Sequence, residues 1–129
     1  MKGNNPVFTT DAPAAIGPYS QAIECRPSRM LFVSGQIPID PATSAIVPGG
    51  IEAETRQALR NIDAILTAGG MDRTNVVRAT IFLASMSDFQ VVNGIYAEFF
   101  GEHKPARAAF QVAALPRGAL VEIDAIAVE

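Results

Sequence analysis

The chain has 129 residues, 49% of them hydrophobic, with ten basic against thirteen acidic residues and a net charge of −3. That length predicts one domain over 1–129, and a mean hydropathy of +0.22 exceeds what so small a core needs, pointing to apolar surface shared with another subunit. The charge gives no general footprint for nucleic acid and no apolar run approaches the ~20 residues that cross a bilayer; the single Cys25 and a Met1–Ala15 stretch without a leader pattern predict a cytoplasmic protein.

The segment Asp11–Ser20 holds two prolines and a glycine, too many breakers for a helix or an interior strand. Its apolar residues and Tyr19 favour an ordered loop. Gln21–Cys25 and Met30–Ser34 read as two strands, joined in a hairpin by Arg26-Pro27-Ser28-Arg29. Pro38, Pro41, Pro48 and Gly49-Gly50 then mark a long connection with at most a short strand near Ile46. From Ile51 the apolar period becomes helical, with Ala58, Leu59, Ile62, Ile65 and Leu66 on one face. Acidic residues occupy its first turn, and Gly69-Gly70 supplies a left-handed stop.

Val76–Leu83 alternates as a strand, with Val77, Ala79, Ile81 and Leu83 on one face and Arg78, Thr80 and Phe82 on the other. Ser87, followed three residues later by Gln90, predicts a capping box that opens a second helix. Phe89, Val92, Ile95, Tyr96 and Phe99 line its buried face. Two further strands, Ala106–Ala113 and Ala119–Val128, are joined by the turn Leu115-Pro116-Arg117-Gly118. The order β-β-α-β-α-β-β predicts an α+β layer in which both helices cover one face of a mixed sheet. The other face then requires cover, and sheet-to-sheet contact in a closed homo-oligomer provides it.

His103 and Cys25 are the only nitrogen and sulfur ligand side chains of their kind, so no Cys/His metal site is expected within one chain. His103 falls in the polar, proline-bounded stretch Gly101–Pro105, which reads as a surface loop; Cys25 reads as a small strand-end residue. No glycine-rich phosphate loop occurs. Chemistry therefore falls to carboxylates, arginines, tyrosine and backbone. Alternation places Arg107, Ala109 and Gln111 on one face of their strand, and Leu120, Glu122, Asp124 and Ile126 on one face of the last. Charges among apolar residues are costly unless paired. Arg107, Glu122 and Asp124 thus either neutralise one another, lie at an interface or form a site, with Arg78 as a further partner. An arginine fork in a partly dry pocket also suits a small carboxylate ligand.

Several strings carry a more specific signal: Ala14-Ala-Ile-Gly-Pro-Tyr-Ser-Gln-Ala22, Val33-Ser-Gly-Gln-Ile-Pro38, Asn93-Gly-Ile-Tyr-Ala-Glu-Phe-Phe100, Pro105-Ala-Arg107 and Leu115-Pro-Arg-Gly-Ala-Leu-Val-Glu-Ile123. From about Ala12 to Val128 the chain resembles the RidA (reactive intermediate deaminase A, YjgF) family. The resemblance implies a chorismate-mutase-like fold assembled as a homotrimer, sheets inward and helices outward, with a small cleft at each subunit interface. It also implies hydrolysis of small enamine and imine acids (2-aminoacrylate, 2-iminopropanoate, 2-iminobutanoate) to 2-keto acids and ammonia, without metal or cofactor. On that resemblance Arg107 binds the substrate carboxylate, Glu122 positions or activates the attacking water, and Tyr19 closes the pocket. Ser34, Gly35, Asn93 and Ala109 would shape the cleft.

The chain departs from the family pattern at two places. Ala109 stands where members often carry Cys two residues after the site arginine, and the loop 101–105 looks shorter than in the archetypal deaminases. At Ala109 a main-chain carbonyl serves as well as in Cys, without a thiol; the loop borders the cleft, and a wider pocket there would shift preference to a larger amino-dienoate such as 2-aminomuconate. Two readings of other classes stand beside the deaminase: a non-catalytic module binding small carboxylates on the same fold, and RNA-directed inhibition of translation. Against the last stand the net charge and the lack of a basic stripe interleaved with aromatics. The expected partners are a small imino or enamino acid and further copies of the chain, not a membrane or nucleic acid.

Overall fold

The computed structural model describes residues 4–129. A four-stranded mixed sheet is built from β3 (Met30–Gln36), β6 (Val76–Leu83), β7 (Ala106–Gln111) and β8 (Val121–Val128), in the spatial order β3-β8-β6-β7. Two short ribbons accompany it: β1 (Asn5–Val7) with β2 (Ala22–Glu24), and β4 (Ile39–Asp40) with β5 (Ala45–Ile46). The helices are α1 (Gly50–Ala68) and α2 (Phe89–Phe100).

β8 runs antiparallel to both β3 and β6, while β6 and β7 are parallel. The unit β6-α2-β7 is thus a strand–helix–strand crossover. Two expected hairpins are corrected by this order. Ala22–Glu24 pairs with Asn5–Val7 rather than with Met30–Ser34, because the turn at Arg26–Arg29 is held instead by the C-terminus: the Ser28 and Arg29 amides donate to the Glu129 carbonyl at 2.8 and 3.1 Å. The last two strands are not partners either, since β7 lies on the far side of β6 from β8.

One face of the sheet forms the core. Val76, Ala79, Ile81 and Leu83 from β6 and Val121, Ile123, Ala125 and Ala127 from β8 pack with Ala58, Leu59, Ile62 and Leu66 of α1 and with Val92, Ile95, Tyr96 and Phe100 of α2. The register of β6 slips between Val76 and Arg78, which puts Val76, not Val77, into the core. Glu54 is buried within α1, where its Oε1 accepts the Leu120 amide at 2.8 Å and ties the helix to the start of β8.

Helix ends differ from expectation in detail. The left-handed residue closing α1 is Gly70 (φ +74°), Gly69 being ordinary; the Met71 amide reaches Leu66 O and the Gly70 amide Thr67 O, the two bonds of a Schellman stop. Before α2 the cap is Ser85, whose side chain accepts the Ser87 amide at the head of a short 3₁₀ turn, rather than Ser87 itself.

His103 is another correction. It is buried, with Nε2 donating to the Val76 carbonyl at 2.6 Å, so the 101–105 loop is pinned to the start of β6 by its central side chain. Burial lowers the imidazole below its usual value, which keeps it neutral.

The opposite sheet face has no helix over it. Phe32, Arg78, Thr80, Phe82, Phe110, Glu122, Asp124 and Ile126 lie there, and Phe32 remains 68% exposed.

Candidate active site

Arg107 projects from β7 toward α2. Lateral partners in a sheet share a face, and Arg107 stands beside Ala79, which stands beside Ala125, all three on the helix side. There the half-buried guanidinium lies among three rings, with Cζ 5.0 Å from the centroid of Tyr96, 5.3 Å from Tyr19 and 5.7 Å from Phe89, the geometry of cation–π contact. Its Nη1 donates to Asn93 Oδ1 at 2.6 Å. No ion pair among the described residues involves it. Burial lowers the guanidinium from its ordinary value, the direction expected for a cation without a counter-charge. Tyr96, fully buried, has a hydroxyl without a hydrogen-bond partner, and desolvation raises its pKa.

The loop carrying Tyr19 is braced by hydrogen bonds from its own chain. Gln21 acts as its clamp: Oε1 accepts the Thr9 amide at 2.8 Å, and Nε2 donates to the carbonyls of Thr9, Ala12 and Pro13 at 3.1, 3.3 and 2.7 Å. The Ser20 amide donates to Pro105 O at 3.2 Å and its hydroxyl to Lys104 O at 2.5 Å, fixing the loop beside the strand that bears Arg107. Gly17 permits the close approach, since a Cβ there would sit 3.3 Å from Arg107 Nη2 and 3.5 Å from the Tyr19 ring.

Glu122 belongs to a second cluster. It stands beside Phe82 in the β6–β8 ladder, three residues along β6 from Ala79 and therefore on the opposite face. Gly35 lies against it on the other side, in a bulge of β3 that also holds Ser34: Val33 pairs with Ala125 but Gln36 with Ile123. Two residues of β3 thus oppose Asp124 alone. Asp124 itself is committed to structure, its Oδ1 accepting the Thr80 amide at 3.0 Å.

The predicted site residues therefore fall into two groups within one chain. Tyr19, Asn93, Arg107 and Ala109 share the helix side at the β7 edge; Ser34, Gly35 and Glu122 share the uncovered side. Arg107, Glu122, Asp124 and Arg78 make no ion pair with one another among the described residues, so they do not neutralise one another within one chain. Tyr96, Phe89, Gly17 and Gln21 contribute walls and supports that the sequence reading missed. Tyr96 and Phe89 do lie on the buried face predicted for α2; their spacing with Asn93 on that helix is the available signal that they also form an aromatic wall. Among the described residues no group of three His, Cys, Asp or Glu side chains could hold a metal.

A mixed sheet with two helices on one face and an uncompensated arginine in an aromatic recess defines a class that comparison makes specific. The family model described as Endoribonuclease L-PSP matches residues 9–129, and the chain belongs to this family, the RidA (YjgF) family. It is 54% identical over 123 residues to a 2-iminobutanoate/2-iminopropanoate deaminase of Mus musculus, covering 95% of this chain and 90% of that one. Among solved structures it is similar to a Rid-family protein of Yersinia pestis (47% identity, TM-score 0.76, 98% and 99% of the two chains) and to E. coli TdcF with bound serine (39% identity, TM-score 0.74, 97% and 98%).

Proposed function

We propose that this protein hydrolyses small 2-imino acids and their enamine tautomers to 2-keto acids and ammonia. The observation that carries the reading is Arg107: a half-buried guanidinium, walled by three aromatic rings, bonded to the neutral Asn93 and unpaired with any described carboxylate. Such a group is satisfied by a small carboxylate through two charge-assisted hydrogen bonds. A close relative named as a 2-iminobutanoate/2-iminopropanoate deaminase and a neighbour holding serine agree with a ligand of that size.

The chain assembles as a homotrimer in the chorismate-mutase-like arrangement, one domain over 1–129 in each copy, sheets inward, so that Arg107 of one copy faces Glu122 of the next. The exposed apolar residues of the uncovered face support this, and so does the separation of the two clusters, which leaves either one incomplete alone. Arg107 holds the substrate carboxylate under Tyr19, with Asn93 and Ala109 beside it and Ser34 and Gly35 on the facing copy. Glu122 takes a proton from water as the oxygen adds to the electrophilic imine carbon. It returns that proton to nitrogen; as the C–N bond breaks, the carbinolamine hydroxyl gives its proton to the Glu122 carboxylate, which passes it to the departing ammonia, leaving the keto acid and ammonium. Orientation and one proton shuttle suffice, because a protonated imine is already activated. No described helix is long and apolar enough to cross a membrane, in keeping with a cytoplasmic enzyme.

The test generates imino acids in situ with an amino-acid oxidase and traps the survivors with semicarbazide. With the protein present the trapped product should fall, and Arg107→Ala should cost about 100- to 1000-fold in that effect, the scale of losing a partner from a desolvated charge pair. An unchanged trace from a folded, assembled protein would sink the deaminase reading and leave carboxylate binding alone. Parent amino acids of increasing side-chain size rank the pocket and decide between short-chain imines and larger amino-dienoates.

A further inference from the structure

The β3 bulge has a consequence for Glu122 that goes deeper into the same reaction. We infer that Gly35 is a positioning residue for the Glu122 carboxylate: the side chain of Glu122 occupies the space a Cβ at position 35 would take. This rests on the deaminase reading. A Cβ built on Gly35 would lie 2.3 Å from Glu122 Oε2, 2.8 Å from Cδ and 3.1 Å from Cγ, far inside van der Waals contact. Three atoms of one side chain are thus seated against bare backbone.

The seat is built by the local sequence. The bulge sets Ser34 and Gly35 together opposite Asp124, which turns the backbone of residue 35 over the strand position next to it. Gln36 braces the turn from the side, its Nε2 donating to Ser34 O at 3.2 Å. Across β8 from this seat stands Phe82, in contact with Phe110 at 5.2 Å between centroids. Glu122 is held between a glycine seat and an aromatic neighbour, and its carboxylate is aimed without being tied by an ion pair among the described residues.

The backbone at Gly35 lies outside the left-handed region, so alanine fits there conformationally. What it displaces is the far end of one side chain. Gly35→Ala is therefore expected to fold and assemble like the parent while pushing the carboxylate off its seat. Displacing a proton-transferring group by about 1 Å costs on the order of 100-fold in turnover.

The experiment measures kcat and KM for imine hydrolysis in four assembled proteins: the parent, Gly35→Ala, Glu122→Asp and the double variant. Gly35→Ala should lower kcat by about 100-fold with KM changed less than about threefold, because Arg107 keeps its grip on the carboxylate. In the Glu122→Asp background the same substitution should cost less than about fivefold, since the shorter side chain has already left the space. Equal costs in both backgrounds would show that position 35 acts through something other than Glu122, and an unimpaired Gly35→Ala would overturn the inference outright. Should Gly35→Ala lose its assembly, the double variant must recover it; failure to recover also overturns the inference. An inactive parent would instead remove the deaminase reading, a distinct result.

Discussion

The helix side of the sheet and the side turned away from it treat charge differently. On the helix side Arg107 is enclosed by Tyr19, Tyr96 and Phe89 and bonded to Asn93; on the other, Glu122 rests on backbone at Gly35 beside Phe82. In the proposed reaction the first environment would hold the substrate carboxylate, and the second would present the Glu122 carboxylate to the attacking water. A single sheet layer separates them, and side chains on opposite faces of one layer cannot converge on one small molecule. In the proposed homotrimer the division of labour is then also a division between copies.

The largest test of that division mixes two dead proteins. Arg107→Ala and Glu122→Gln, co-assembled in equal amounts, should regain about a quarter of the parent's activity, because a cyclic assembly of random composition leaves that fraction of interfaces with an intact arginine and an intact glutamate in the required order. A mixture as inactive as its components would place both residues' work within one chain and break the comparison.

A smaller effect is expected at the tie between the layers. Glu54→Ala leaves the Leu120 amide unpaired at the entry to β8, and should lower stability by about 2–3 kcal/mol, read by urea denaturation at one fixed protein concentration. A loss below about 0.5 kcal/mol would mean that the helix layer holds β8 without this bond.

The smallest effect concerns pH and the Arg107 side alone. The His103 imidazole has a folded-state pKa below the usual 6.5, so below that value the unfolded chain binds more protons than the folded one. Its contribution to stability is complete above 6.5 and is lost as pH falls through the folded value. Melting temperatures taken from neutral to mildly acidic pH should decline in the parent, and His103→Gln should flatten the slope. An identical slope in the variant would assign the decline to carboxylates elsewhere.

Much of this arrangement was legible in the residues. The alternation of Val121–Val128 placed Glu122, Asp124 and Ile126 together on one face, and the period of α1 identified its core residues. The bare sheet face followed from counting layers. What alternation could not give was how Arg107 stands relative to Glu122, because period-2 patterning fixes faces within a strand, whereas faces between strands depend on pairing and register. The reading of Ala106–Ala113 and Ala119–Val128 as consecutive hairpin strands concealed it. A usable signal was present: Val76–Leu83, a helix, then Ala106–Gln111 is the pattern of a parallel crossover, which moves β7 away from β8. His103 was misplaced for a different reason. Its polar neighbours Glu102 and Lys104 are exposed and hide a single inward side chain that no local pattern announces. Ser85 and Ser87 lie two residues apart and compete for one cap, a choice decided by the 3₁₀ turn rather than by spacing.

The four hydrogen bonds of Gln21 bear on speed. They join Thr9, Ala12 and Pro13 to Gln21, on either side of Tyr19, so part of the conformational entropy of that segment is lost when the chain folds rather than when substrate binds. For an imine that water destroys unaided, a receptor already in shape has the advantage of intercepting it early in its brief lifetime.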